Sequence, residues 1–241
     1  MKQFAIIGLG SFGLRMLDEL LDITDEIIII DKDREIVEKY KDKAQASYIT
    51  DAINEQALKK IIPEKIDAVI VDLGGKVEVS IMTTNHLKKM GVREIIVKAQ
   101  SDEHGEILRM VGATSVVFPD LEAAKRITPL LASSLLFKYL PISEHFAFAE
   151  VAANASVIGK SLLEANIRKE FGLNVVAIRK RDSEDIQFTS DPTYIFTEDD
   201  VLLVAGNDES IAAFSKEQVG VEKRKGLSFF HDLFKQAKTN E

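Results

Sequence analysis

Short apolar runs alternate with helix-period segments over the first 118 residues. Phe4–Ile7 is an apolar run. Leu14–Ile23 has helical spacing, with Leu17, Leu20 and Leu21 on one face. Ile27–Ile30 is four β-branched residues in a row, the pattern of a strand covered on both sides. Arg34–Asp42 reads as a helix, Ala46–Ile49 as a strand, and Asn54–Ile62 as a helix stopped by Pro63. Ala68–Val71 is a further strand before the breaker pair Gly74-Gly75. A helix over Glu78–Lys89, a strand at Ile95–Val97, a helix over Glu103–Val111 and a strand at Ser115–Phe118 complete the series. Repeated strand–helix units of this kind predict an α/β fold: a Rossmann-like parallel sheet of six strands with helices on both faces.

The rhythm changes after Pro119. Leu121–Leu140 reads as one long crossover helix, which Pro129 should kink or divide. Its leucines suggest packing on another subunit or on the following domain. From Glu144 a smaller α+β unit is expected. "FAFAEVAA", "NVVAIRK", "EDIQF" and "DDVLLVAG" read as strands, and "GKSLLEANIRKEFG" as a helix closed by Gly172. The expected divisions are an N-domain at 1–120, a crossover helix at 121–140, a C-domain at 141–220 and a tail at 221–241. In the tail, Leu227, Phe230 and Phe234 recur at helical spacing after Lys223-Arg224-Lys225, an amphipathic pattern suited to a membrane surface or a transporter.

Composition narrows the function classes. Of the 241 residues, 46% are apolar and 29% charged, ordinary for a soluble globular protein. A net charge of −8 disfavours non-specific binding to nucleic acid. With no cysteine, thiolate chemistry, Cys-ligated zinc and disulfides are excluded, which suits a cytoplasmic protein. No apolar run approaches the roughly 20 residues of a membrane span, and the N-terminus does not read as a signal peptide.

The chemistry begins at Gly8-Leu9-Gly10-Ser11-Phe12-Gly13. Gly8 permits a tight turn, Gly10 a close phosphate, and Gly13 close helix–strand packing. Free N–H groups and the helix dipole then favour an anion at the helix start. Asp31, at the end of the second apolar run, stands where an acid would accept ribose hydroxyls and disfavour a 2′-phosphate; Lys32 beside it softens that preference. Asp33 either caps the following helix or makes a second ribose contact.

A catalytic base is harder to find. None of the tyrosines at 40, 48, 139 and 194 has Lys at +4, and the histidines at 86, 104, 145 and 231 have no partner carboxylate of recognisable spacing. The rival to a non-enzymatic nucleotide sensor is an NAD-dependent oxidoreductase with an unrecognised substrate domain. A redox-sensing transcription factor is disfavoured by the acidic charge and the lack of a basic N-terminal helix-turn-helix.

The stretches "FAIIGLGSFG", "IIIIDKD", "YITDA", "VKAQ", "VVFPD" and "ANIRKEFGLNVVAIRK" resemble, in order, the KtrA/TrkA-type proteins. These are cytosolic gating subunits of bacterial potassium-uptake systems, built of N- and C-terminal RCK domains. The resemblance implies ADP/ATP or NAD(H) at Gly8, Gly10, Ser11, Phe12, Gly13, Asp31, Lys32 and Asp33. It implies adenine contacts at Asp51 and Ala52, and Lys98 near a terminal phosphate. It implies a divalent or monovalent cation at Asp120, near a subunit interface. In the C-domain it implies a cyclic di-AMP site with Arg168, Ile167, Asn174 and Pro192. The partners it implies are an integral-membrane K+ transporter and further copies of the chain, as homodimers in an octameric ring. Such members often carry Arg directly after the second glycine; Ser11 departs from this, which weakens the case for ATP over ADP and leaves NAD(H) open.

Overall fold

The computed structural model describes residues 2–188 and 191–216. The chain divides into two compact units, Met1–Ala123 and Ala124–Glu241. The tail pattern at Leu227, Phe230 and Phe234 lies outside the described residues. Among the described residues no helix is long and apolar enough to cross a membrane.

The first unit alternates strand and helix in the expected order: β1 (Phe4–Ile7), α1 (Ser11–Leu21), β2 (Ile27–Asp31), α2 (Arg34–Tyr40), β3 (Ala46–Ile49), α3 (Glu55–Ile61), β4 (Ala68–Val71), α4 (Val77–Lys89), β5 (Glu94–Lys98), α5 (Asp102–Val111) and β6 (Ser115–Val117). The strands form one parallel sheet in the order β3-β2-β1-β4-β5-β6. Phe4 of β1 is in register with Ile27 on one side and Ala68 on the other. Alternation divides the apolar residues between two cores. Ala5, Ile7, Ile28, Ile30, Val69 and Val71 face one; Ile6, Ile27, Ile29 and Ile70 meet Leu17 and Leu20 of α1 on the other. A parallel sheet buried on both faces needs this, and it explains the unbroken Ile27–Ile30 run.

Chain direction across the sheet reverses between β1 and β4. In open α/β sheets the crevice at the carboxyl ends of such neighbouring strands is where ligands bind. This topology positions the site described below.

α6 (Pro119–Ala132) follows, with Pro129 inside it but not dividing it. The helix expected to reach Leu140 ends at Ala132, and Leu136–Ser143 is strand β7. The cause is local. Ser133 Oγ accepts the Leu135 N–H, and the Ser133 carbonyl accepts the Leu136 N–H, turning the backbone out of the helix. Leu136 and Tyr139 then supply the buried positions of an edge strand that tolerates Pro141.

The second unit continues with β8 (Phe146–Ala152), α7 (Leu162–Ala165), α8 (Ile167–Phe171), β9 (Asn174–Lys180), β10 (Gln187–Phe188), β11 (Asp200–Gly206) and α9 (Asp208–Phe214). Its antiparallel sheet runs β10-β9-β11-β8-β7. The helix expected over Gly159–Gly172 is split at Asn166, whose φ of 43° is left-handed. Asn tolerates that conformation because its short side chain can bond locally. Val151, Leu202, Val204, Phe196 and Phe214 centre the core. In the same unit, Arg179 bonds Glu150 Oε2 from Nε at 3.0 Å and from its terminal nitrogen at 2.7 Å, while Lys138 Nζ lies 3.1 Å from Oε1.

Candidate nucleotide-binding cleft

The glycine turn is built by β1 and the start of α1. Gly8 has φ of +91°, and a Cβ there would fall 1.9 Å from the Asp72 carbonyl oxygen. Gly8 N–H donates to Ile30 O, and Asp72 N–H to Ile7 O, so the turn is bound to the strands on either side of β1. Only glycine fits this position.

A cleft of about 310 Å³ opens over the carboxyl ends of β1, β2 and β4. Its size matches the lower range of small-molecule sites. Of the residues singled out in the sequence, Gly8, Gly10, Asp31, Lys32, Asp33, Asp51 and Ala52 line it together. Ile7, Leu9, Ile36, Leu73 and Val79 add apolar wall. Ser11 and Phe12 open α1, and Gly13 is buried beneath; none of the three lines the cleft.

Asp31 is held from two directions: Oδ2 accepts the Leu9 N–H at 2.7 Å, and Oδ1 the Asp33 N–H at 2.9 Å. The acid is thereby fixed against the glycine turn. Asp33 is the N-cap of α2, its side chain accepting the Glu35 N–H at 2.9 Å, so of its two expected roles the cap is observed.

Three further cleft residues escaped the sequence reading. Thr50 and Lys76 lie at the rim. The ammonium of Lys32 meets that of Lys76, and this contact, with some desolvation, pushes Lys76 below the usual lysine range despite Asp51 and Asp31 nearby. The third is Asp72, at the end of β4 and 3% exposed. Its Oδ2 accepts the N–H groups of Phe12 at 3.1 Å and Gly13 at 2.9 Å, and Lys98 Nζ lies 3.8 Å from Oδ1. Lys98 itself is not among the lining residues. No local motif marks Asp72 or Lys76, because both reach the cleft only through the β1–β4 pairing.

His104 and His86 gain neighbours that the sequence did not reveal. His104 Nδ1 accepts the Gln100 N–H at 3.3 Å, so its Nε2–H donates to Ser80 Oγ at 2.7 Å, and Ser80 donates to Val77 O. Burial lowers the His104 pKa. A serine that receives the histidine's proton is not activated as a nucleophile; the pair joins α4 to α5. His86 Nδ1 lies 3.3 Å from Glu55 Oε2, a carboxylate partner from α3. None of these side chains lines the cleft.

The remaining expected site residues are dispersed. Asp120 is exposed in the first turn of α6, and among the described residues no group of three or more His, Asp or Glu is placed to hold a metal. Ile167 is 2% exposed and packs in the second core. Arg168, Asn174 and Pro192 are exposed.

Comparison with known proteins agrees with this architecture. The TrkA-N domain model matches residues 4–119 and the TrkA-C domain model residues 146–218. The chain is 35% identical to Ktr system potassium uptake protein C of Bacillus subtilis, over 89% of this chain and 96% of that one. It is 30% identical to Ktr system potassium uptake protein A of the same organism, over 90% and 96%. The GsuK channel has the same fold, with a TM-score of 0.64 at 17% identity over 99% of this chain. The match spans 44% of the GsuK chain; a second GsuK structure, bound to NAD, gives 0.63 at 16% over the same shares. A glycine turn at the switch point of a six-stranded sheet, a second small domain and near-complete coverage of two relatives lead to one assignment. The chain belongs to the family of Ktr potassium uptake proteins, built of a TrkA-N and a TrkA-C domain.

Proposed function

We propose that this protein is a non-enzymatic, nucleotide-sensing regulatory subunit of a potassium-uptake system. It acts in the cytoplasm and reaches the membrane through an integral-membrane transporter partner. The observation that carries this reading is the cleft at the β1–β4 switch point, lined by Gly8, Gly10, Asp31 and Asp51, in a chain of this family.

The ligand is an adenine nucleotide, ADP/ATP or NAD(H). Asp31 accepts ribose hydroxyls from its fixed position beside the glycine turn. Ile36, Val79 and Ala52 supply apolar contact for the adenine, with Thr50 and Asp51 at its polar edge. Phosphates lie toward Gly10 and Ser11, and the charges of Lys32 and Lys76 attract the anion to the rim. The ligand acts by differential affinity for two conformations, and copies assembled as homodimers in an octameric ring would multiply a small bias per site. Exposed Arg168, with Asn174 and Pro192, is available to a second ligand such as cyclic di-AMP, and Asp120 to a cation at a subunit interface. The neutral, structural role of His104 supports a sensor over an oxidoreductase.

Calorimetric titration of the full chain with ATP, ADP, NAD+, NADH and cyclic di-AMP tests the reading. At least one adenine nucleotide should bind in the micromolar range, about 8 kcal/mol. Binding by none of them, or hydride transfer to a simple substrate, overturns it.

A further inference from the structure

The N-terminus of α1 already has an anion on it, and the anion belongs to the protein. Asp72 Oδ2 accepts the N–H groups of Phe12 and Gly13, two of the donors that a helix start offers to a phosphate. Gly10 leaves room for it: a Cβ on Gly10 would fall 2.5 Å from Asp72 Oδ2. The gap that the motif keeps clear for a pyrophosphate is thus shared with a carboxylate. Lys98 Nζ lies 3.8 Å from the other oxygen, and one lysine balances one aspartate. Asp72 nevertheless lines the cleft, so a phosphate laid along Gly10 and Ser11 faces its negative charge. Ser11 adds no cation to offset this.

We propose that Asp72 is a specificity-determining residue that selects among adenine nucleotides by phosphate charge. It favours a dinucleotide whose bridging phosphates each carry one negative charge over a nucleotide with a terminal phosphate. A terminal phosphate loses a second proton at a pKa of about 6 and is nearly doubly charged at neutral pH. In NAD(H) both phosphates are esterified and that second charge is absent. The inference rests on the nucleotide reading above and narrows it to the NAD(H) class.

The test is calorimetric titration of the full chain with NAD+, ADP and ATP, without divalent cations, for wild type, Asp72→Asn and Asp72→Ala. Asn keeps the volume and an acceptor oxygen for Phe12 and Gly13, so it carries the test if the Ala variant fails to fold; a thermal melt checks both. Wild type should prefer NAD+ to ATP by about tenfold or more. Asp72→Asn should raise ADP and ATP affinity by about tenfold while moving NAD+ by less than about threefold, equivalent to differences of about 1.4 and 0.7 kcal/mol. Gain of ADP binding by the variant alone also supports the proposal. An equal change for all three ligands, no change, or weaker ADP and ATP binding in Asp72→Asn overturns it while leaving nucleotide binding intact. Binding of no nucleotide to wild type or variant overturns the nucleotide reading, and the role of Asp72 with it.

Discussion

Asp31 Oδ2 accepts the backbone N–H of Leu9 at 2.7 Å, so the acid proposed to hold the ribose also braces the glycine turn. Substitution therefore has two effects. Asp31→Ala should weaken adenine-nucleotide binding by about tenfold or more, since hydrogen bonds to a charged group contribute about 1.5–3 kcal/mol. It should also lower the melting temperature without ligand, because the Leu9 and Asp33 N–H groups lose their acceptor. Calorimetry and a thermal melt separate the two; unchanged values in both would contradict the geometry.

Gly8→Ala should be among the most damaging changes in the first unit. It forces a side chain into a φ of +91° and onto the Asp72 carbonyl oxygen. We expect a loss of at least about 2–3 kcal/mol in urea unfolding, from backbone strain and the clash together. Gly74→Ala is the control. Its φ of +58° is left-handed too, but nothing lies within 4 Å of the added carbon, so it should cost less.

The Lys32–Lys76 contact predicts a salt-sensitive site. An anion between the two ammonium groups relieves their repulsion. Lys76→Met should lower nucleotide affinity by about three- to tenfold at low salt and reduce the dependence of affinity on ionic strength. Because Lys76 is held below its ordinary value of 10.5, nucleotide affinity should begin to fall below that pH as Lys76 loses its proton. A titration from pH 7 to pH 10 reads this directly.

In the second unit, burial works to raise Glu150, but Arg179 and Lys138 outweigh it and hold the carboxyl below its ordinary 4.5. Asp200, fully buried, is likewise raised by burial and lowered further by Lys180, the Thr197 N–H and Tyr194, ending below 3.8. The unfolded chain thus binds these protons more tightly than the folded one. Their stabilisation is complete above about pH 4.5 and is lost as pH falls through the depressed values. Arg179→Met, which leaves the Glu150 carboxylate with Lys138 alone, should destabilise this unit by about 3 kcal/mol at pH 7 and by less at pH 3. Urea unfolding at the two pH values checks both size and sign.

Much of the first unit was legible because its signals are local. Ile27–Ile30 reads as a doubly buried strand from four letters, and the glycine turn with Asp31 reads as a nucleotide site from spacing. What remained hidden depends on neighbours distant in sequence. Asp72 and Phe12 are 60 residues apart, and only the β1–β4 pairing brings them together. The helix expected to reach Leu140 failed for a related reason. Leu130, Leu131, Leu135 and Leu136 satisfy a helical period by position alone. Ser133 turns the backbone out of the helix, and pairing with β8 recruits Leu136 as a strand residue. Glu55 beside His86 is a third case, a contact between α3 and α4 that no spacing rule announces.

A receptor that reports scarcity must hold its shape when its ligand is scarce. Helix starts with unmet N–H groups make an empty nucleotide fold prone to fraying, and ligand binding then does the work of folding. Here the Asp72 carboxylate gives the Phe12 and Gly13 N–H groups their acceptor with no ligand in the cleft. In the proposed sensor, the start of α1 therefore needs no ligand to satisfy these two groups. Under the proposed function, fluctuations in the nucleotide pool would then be read as exchange between two folded forms, with no unfolded intermediate exposed to proteolysis.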